Sequence, residues 1–535
     1  MITNIARVGM TAAVIVLAAT TFALAETTAT PATQTVAQAT PSPSPNPFTY
    51  HGYVRAYDFT RQNAYSSYGV ANGLGGKANQ SSENNAISLS AAYRFEDSGF
   101  SVGGSYLYAN PLNNCSNPAL ASSTSTGPCG VKSNPPATFA DTTLPQFEMS
   151  TLYEAYLKYN ANGLNFQGGD MAYGTPWTPT SDSRLKPVAY QGADVSYKVT
   201  SNWTVEAADW WQWECRTCSN FDHGTLLTAV APGGYTYSGA TAYSSLFYDP
   251  SETTYTNNGV IYGRIGYNGP KDIPLTANVY YYDFQNIANM FWLDAKYPLG
   301  TSRLKPFLAI QGGTENAPSS DLVGKVDAAV FGAQAGFYPM SNVLLTGAFD
   351  TIPVRTDTDQ SFAGITCNAQ HQFATKKSYN YELPYWVPAG GTAECTADNA
   401  AGTVYDVYYG GLASPYTDSY ATDPLYTASG TQSMTDRRSP GSAFKLQATF
   451  TSDNKQFWLQ VGQTWYDYTN PGYATSTNAT DYDMQYFFMK VPKTGLYKGL
   501  SLRVRLFSRS ETNWFGATQI PGLFKYDRFQ LEYNF

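Results

Sequence analysis

Residues 500–509 read Leu-Ser-Leu-Arg-Val-Arg-Leu-Phe-Ser-Arg. In an extended chain this sets Arg503, Arg505 and Arg509 on one face, opposite Leu500, Leu502, Val504 and Leu506. Guanidiniums spaced along one wall can hand an anion from site to site, each attracting the solute without trapping it. The same phase, opposite apolar stripes, holds Arg55, Arg94, Lys158, Lys198, Arg264, Lys296, Lys305, Lys445 and Arg528. Acidic residues on those faces are fewer: Glu154, Asp170, Asp294 and Glu532. Any one of these cations can equally pair with a neighbour and merely solvate a wall. The stripe of three without an acidic residue among them points to a path for anions.

Catalytic chemistry finds little purchase. A hydrolytic nucleophile needs a base held by a third group, and the only histidines are His51, His223 and His371, far apart in sequence. No metal site, cofactor or enzyme activity is expected. A net charge of -8 gives no support to a nucleic-acid partner.

What positions such a stripe follows from composition. Of 535 residues, 43% are hydrophobic, 15% aromatic and only 13% charged, with 43 Tyr, 28 Phe and 45 Gly. Mean hydropathy is nevertheless -0.32. Beyond the first thirty residues there is no run of the roughly 20 apolar residues that a spanning helix needs, which excludes a polytopic helical protein. Aromatic-rich, charge-poor sequence without apolar runs fits a transmembrane barrel, where lipid-facing and lumen-facing residues alternate. Ala86–Phe95 sets Ile87, Leu89, Ala91, Tyr93 and Phe95 against Ser88, Ser90 and Arg94. Met149–Asn160 sets Thr151, Tyr153, Ala155, Leu157 and Tyr159 against Glu154 and Lys158.

A soluble sandwich would alternate in the same way, so link lengths decide. Short links fall at 96–99, 160–163, 200–202, 268–274, 298–303, 339–342, 452–455 and 492–499. Mostly long polar links fall between them, at 61–85, 109–148, 172–188, 215–257, 315–325, 353–442, 469–480 and 510–525. Turns on one rim and loops on the other predict an all-β, antiparallel up-and-down transmembrane barrel of about 18 strands. Aromatic clusters such as Tyr280–Tyr282 and Trp210, Trp211 and Trp213 are expected in the girdles at the two membrane interfaces, with an aromatic slide for a sugar as the alternative.

Residues 1–25 read as a signal peptide, with Arg7, an apolar run over 10–24 and Ala23-Leu24-Ala25 before Glu26. Residues 26–47 are a Pro/Thr/Ala-rich periplasmic tether and 48–535 the outer-membrane barrel. Six cysteines in an exported chain are expected to be oxidised. They fall in three local groups: Cys115 with Cys129, Cys215 with Cys218, and Cys367 with Cys395. Loop-stapling disulfides are the economical reading; a redox or zinc role for the Cys215–Cys218 pair is its rival.

The third long link, Tyr173–Gly192, carries Pro176, Trp177 and Pro179, then Asp182-Ser183-Arg184-Leu185-Lys186-Pro187. It is too rigid and apolar to stand free in water, and folding it into the lumen sets Arg184 and Lys186 in the pore. Four stretches together resemble the OprD-type specific porins, the outer-membrane carboxylate channels. They are Gly52–Phe59 (GYVRAYDF), Glu154–Tyr159 followed by Gly168-Gly169-Asp170, the Thr175–Pro187 link, and Gly499–Arg505. The resemblance implies a monomeric 18-stranded barrel whose inward-folded third extracellular loop forms an eyelet. Asp182, Ser183, Arg184 and Lys186 would belong to that eyelet, and Arg55, Arg503 and Arg505 to a basic ladder. The function this implies is passive, partly selective diffusion of small anionic, carboxylate-bearing solutes. The expected surroundings are outer-membrane lipid and lipopolysaccharide, with the barrel-assembly machinery reading the terminal Phe535. A surface or adhesion barrel displaying stapled loops, or a polysaccharide-export barrel, is the alternative.

Overall fold

The computed structural model describes residues 46–63, 80–96, 98–112, 144, 148–178, 180, 184–214, 216, 219–221, 259–285, 288–300, 302–316, 327–352, 441–454, 456–469, 476–488, 498–512 and 522–535. The expected signal peptide, nearly all of the tether, Asp182, Ser183 and all six cysteines lie outside these residues.

Eighteen strands are present among the described residues. The first six are β1 (Phe48–Asn63), β2 (Gln80–Arg94), β3 (Phe100–Pro111), β4 (Met149–Ala161), β5 (Leu164–Met171) and β6 (Ala189–Lys198). Next come β7 (Trp203–Glu214), β8 (Val260–Asn268), β9 (Thr276–Phe284), β10 (Ala288–Pro298), β11 (Phe307–Asn316) and β12 (Asp327–Met340). The last are β13 (Val343–Ile352), β14 (Gly441–Thr451), β15 (Phe457–Thr469), β16 (Ser476–Phe488), β17 (Leu500–Thr512) and β18 (Gly522–Asn534). Each strand pairs antiparallel with the next, and β18 pairs with β1 from Tyr53↔Asn534 to Asn63↔Phe524. The sheet is therefore a closed ring.

The expected rims are present. Seven links of two to eight residues join β2 to β3, β4 to β5 and so on to β14 and β15, near the positions the sequence marks, and 489–499 joins β16 to β17. Asn162 and Gly163, both at positive φ (53° and 80°), form the two-residue turn that twisted strands favour. The loop rim departs once, since β9 and β10 are joined across 285–287 alone.

The two faces of the wall differ as hydrocarbon and water require. Val54, Leu89, Leu152, Val279, Phe291, Leu308, Phe331, Leu446, Val461 and Leu531 are exposed on the outside. At the tight-turn rim aromatic pairs ring the outer face, among them Phe48–Tyr50, Tyr93–Phe95, Phe100–Tyr159 and Tyr533–Phe535. Trp210, Tyr280 and Tyr282 do not belong to such a girdle; they are buried, and Tyr262 stacks on Trp210 and meets Tyr282 at a tilt on the inner wall. The packed core likewise lies inside the ring, where Tyr57, Phe59, Leu107, Tyr153 and Phe507 surround Leu185 of the third loop.

The alternation expected for Met149–Asn160 slips by one residue. A bulge in β4 at Tyr153, opposite Ser105 and Tyr106 of β3, turns both Tyr153 and Glu154 inward, so Thr151 and Tyr153 share the lumen with Glu154. Leu152 and Leu157 face out. Bulges re-aim side chains in this way, and hydropathy alternation alone does not show where the phase changes. Lys305 also leaves the expected face: it is exposed in the β10–β11 turn at φ 42°.

At the seam, Gly52 N–H donates to the Phe535 carbonyl (3.1 Å) and Phe535 N–H to the Gly52 carbonyl (3.0 Å). A Cβ on Gly52 would overlap the Ser88 carbonyl and meet the Phe535 ring at 2.7 Å. Gly52→Val is expected to reduce the fraction of refolded, heat-modifiable barrel on electrophoresis to a minor part. An unchanged fraction would contradict this account of the seam.

Candidate functional site

Between β5 and β6, residues 172–178, 180 and 184–188 lie inside the ring. Pro176 and the Thr175–Thr178 turn shape the first half of this segment. Thr175 N–H donates to the Thr178 carbonyl (3.0 Å), Thr178 N–H to Thr175 Oγ1 (3.0 Å), and the two hydroxyls lie 2.5 Å apart. Glu154, re-aimed by the bulge, accepts Ala172 N–H (3.0 Å) and the Ser105 hydroxyl (2.5 Å). On the far side the Tyr282 hydroxyl donates to Thr175 Oγ1 (3.0 Å), and Trp177 packs edge-on against Trp292 of β10 with centroids 5.0 Å apart.

The second half is held by charge. Arg55 of β1, 1% exposed, donates Nε and Nη2 to Glu532 Oε2 at 2.7 and 2.5 Å. Its Nη1 donates to the carbonyls of Arg184 (2.6 Å) and Leu185 (3.1 Å), and the Tyr53 hydroxyl reaches the Leu185 carbonyl too (2.6 Å). Lys186 pairs with Glu214 of β7 at 3.2 Å, both side chains fully buried, while Thr151 donates to the same carboxylate oxygen (2.7 Å). Lys186 Nζ also lies 5.6 Å from the Tyr153 ring centroid. Strands β1 and β10 stand nine positions apart on an eighteen-strand ring. The described residues of the segment are fastened to both, so they reach across the inside of the ring and narrow it.

The expected basic residues separate into two sets. In the first, Arg55, Lys186, Arg264, Lys158 and Lys296 have local structural partners, and Arg94 and Lys198 stand at the turn rim. Arg55 and Lys186 fasten the loop as above. Arg264 binds Glu206 (2.8 Å) and Asn278 (3.1 Å), and Glu206 also accepts the hydroxyls of Tyr262 and Tyr173. Lys158 lies near Glu154 and Asp194 and over the Tyr156 ring (4.2 Å), and Lys296 over the Phe307 ring (3.9 Å). Arg94 is half-buried at the turn end of β2, and Lys198 is exposed at the turn end of β6.

The second set gathers round Tyr57. Its hydroxyl is hydrogen-bonded by Arg528, with Arg184 and Arg503 close enough to act on it. Arg505 stands directly opposite Arg528 in the β17–β18 register, and Arg503 opposite Gln530. The Arg184 guanidinium lies 4.6 Å over the Phe59 ring, an arrangement that orients a cation without neutralising it. Like charges facing each other across a strand pair disfavour folding, by roughly 1–3 kcal/mol at an effective dielectric near 20. Arg505, Arg528 and Arg184 are themselves buried, at 3%, 5% and 6% exposure. Arg509 continues the register opposite Asp481. The facing sector of wall brings in Gln311, which donates to Asp350 (2.8 Å), together with Lys445 and Thr464.

Solved structures share this architecture. Pseudomonas aeruginosa OccK2 (OpdF), crystallised with glucuronate, superposes with a TM-score of 0.57 at 11% identity, over 91% of this chain and 97% of that one. Acinetobacter baumannii OccAB4 gives 0.58 at 12% identity, over 92% and 100%. Pseudomonas aeruginosa OpdK with vanillate gives 0.56 at 9%, over 91% and 98%. The fold is that of the OprD/Occ porins. No family model and no curated protein sequence matches the chain.

Sequence reading missed Glu214, Glu206, Asp194 and Asp350 as wall residues, and Tyr53 and Glu532 as loop fastenings. Glu214 closes β7 immediately before the long link that begins at 215, and nothing local in the sequence pairs it with Lys186. Removing one partner of a buried pair leaves an uncompensated charge, a cost of about 3–5 kcal/mol. Lys186→Met or Glu214→Gln alone is thus expected to raise the rate of tryptic cleavage after Arg184 about a hundredfold or more. The double variant should raise it much less. Parental rates in both single variants would contradict the assignment.

Proposed function

We propose that this chain is an outer-membrane porin that passes small anionic, carboxylate-bearing solutes by passive diffusion. The observation that carries the reading is the meeting of Arg184, Arg503 and Arg528 at Tyr57, with Arg505 opposite Arg528, beside a segment fastened to both sides of the ring. A closed ring of eighteen strands is wide enough to hold water, the segment narrows it, and guanidiniums at the narrow place recognise carboxylates by paired hydrogen bonds. The solved OprD/Occ structures support the reading, two of them as complexes with glucuronate and vanillate, both carboxylates. The reading includes export by the residue 1–25 signal, insertion among outer-membrane lipid and lipopolysaccharide through the Phe535-ended strand, disulfide-stapled loops, and no catalytic activity.

In planar bilayers the purified protein is expected to conduct, and under a salt gradient its reversal potential should report anion preference. Replacing Arg503, Arg505 and Arg528 singly with Gln should lower the anion-to-cation permeability ratio by about twofold each, the scale of one screened charge at a constriction. Glucuronate or benzoate at millimolar concentration should reduce the chloride current. Absence of conductance would remove the pore, and cation preference in the parent would remove the role given to the arginine cluster.

A further inference from the structure

Arg184 owes its place to a contact that is not its own. The main chain at Arg184–Leu185 is held by two carbonyls that accept from Arg55 Nη1. Arg55 is oriented in turn by Glu532, which takes its Nε and Nη2 on one oxygen. Glu532 is aligned by its neighbours along β18: Gln530 Nε2 donates to Oε2 (3.1 Å) and Asn534 Nδ2 to Oε1 (3.0 Å). Arg55 and Glu532 face each other directly in the register that closes the ring. One guanidinium therefore ties the first strand, the last strand and the crossing segment together.

We propose that Glu532 is a positioning residue for selectivity: acting through Arg55, it holds Arg184 over Phe59 at the constriction. Although acidic, it sustains the preference for anions. The forked geometry of Arg55 is essential, because Nε and Nη2 must meet the carboxylate while Nη1 meets two carbonyls, and a lysine ammonium has no such fork. Without Glu532 the fork loses its alignment, the 184–186 main chain gains freedom on the side facing β1, and Arg184 leaves the narrow place.

This inference rests on the proposed anion-selective pore, and the sign of one effect separates the two. Taking a carboxylate off the lumen wall should by charge alone raise anion preference. Positioning predicts the reverse. Glu532→Gln is expected to lower the anion-to-cation permeability ratio about twofold and to raise single-channel conductance. Arg55→Lys, which keeps its charge, should do the same. In an Arg184→Gln background Glu532→Gln should produce no further fall in the ratio. Only protein with the heat-modifiable mobility of a closed barrel is compared, so that loss of the seam is not read as loss of positioning; if Glu532→Gln does not close, Arg55→Lys carries the comparison. A ratio that rises in Glu532→Gln, or is unchanged in Arg55→Lys, overturns the inference while leaving the pore intact. A parent channel without anion preference overturns the pore reading itself.

Discussion

In hydrocarbon no water is available to a peptide group, and each N–H or C=O left unpaired costs several kcal/mol. A sheet meets that constraint only by closing. The β1–β18 pairing is therefore the contact on which every other feature rests. It explains why a glycine stands at 52, where the Phe535 ring and the Ser88 carbonyl leave no space for a side chain. It also explains the inverted burial, with aliphatic residues exposed outside and charged and aromatic residues buried within.

A ring of this size leaves a lumen wide enough to need shaping, and the 172–188 segment shapes it from one half of the wall. Its fastenings use different physics at each end. Near β9 and β10 they are aromatic edges and hydroxyls, and near β1 and β7 they are buried ions. The buried ions fix the position of the segment more than they add stability, since desolvation offsets most of their attraction. Cations on β4, β8 and β10 meet carboxylates or aromatic rings, and Arg503 and Arg528 of β17 and β18 converge on Tyr57.

Much of this was legible in the residues. Period-two alternation, the tight-link positions and the Asn162-Gly163 turn are local properties, and they located the strands and the rims. The phase that placed Arg503, Arg505 and Arg528 on one face is equally local. What sequence did not show depends on partners far apart in the chain. Arg55 reads as one more rung of a ladder, and only the meeting of β1, β18 and Leu185 makes it a fastening. Lys186 reads as a pore charge until Glu214, at the far end of β7, is found beside it. The bulge at Tyr153 leaves no mark in hydropathy, and the inward turn of Tyr280 and Tyr282 is hidden because girdles and lumens both favour tyrosine.

The account stands on a wall that is greasy on one side and wet on the other. Nitroxide labels placed singly at 527–533 of β18 in lipid vesicles test it directly. Collision rates with oxygen should peak at 529, 531 and 533, and those with a polar nickel chelate at 528, 530 and 532, in opposite phase. Two profiles in the same phase, or an inner face that the chelate never reaches, would contradict a closed, water-filled ring.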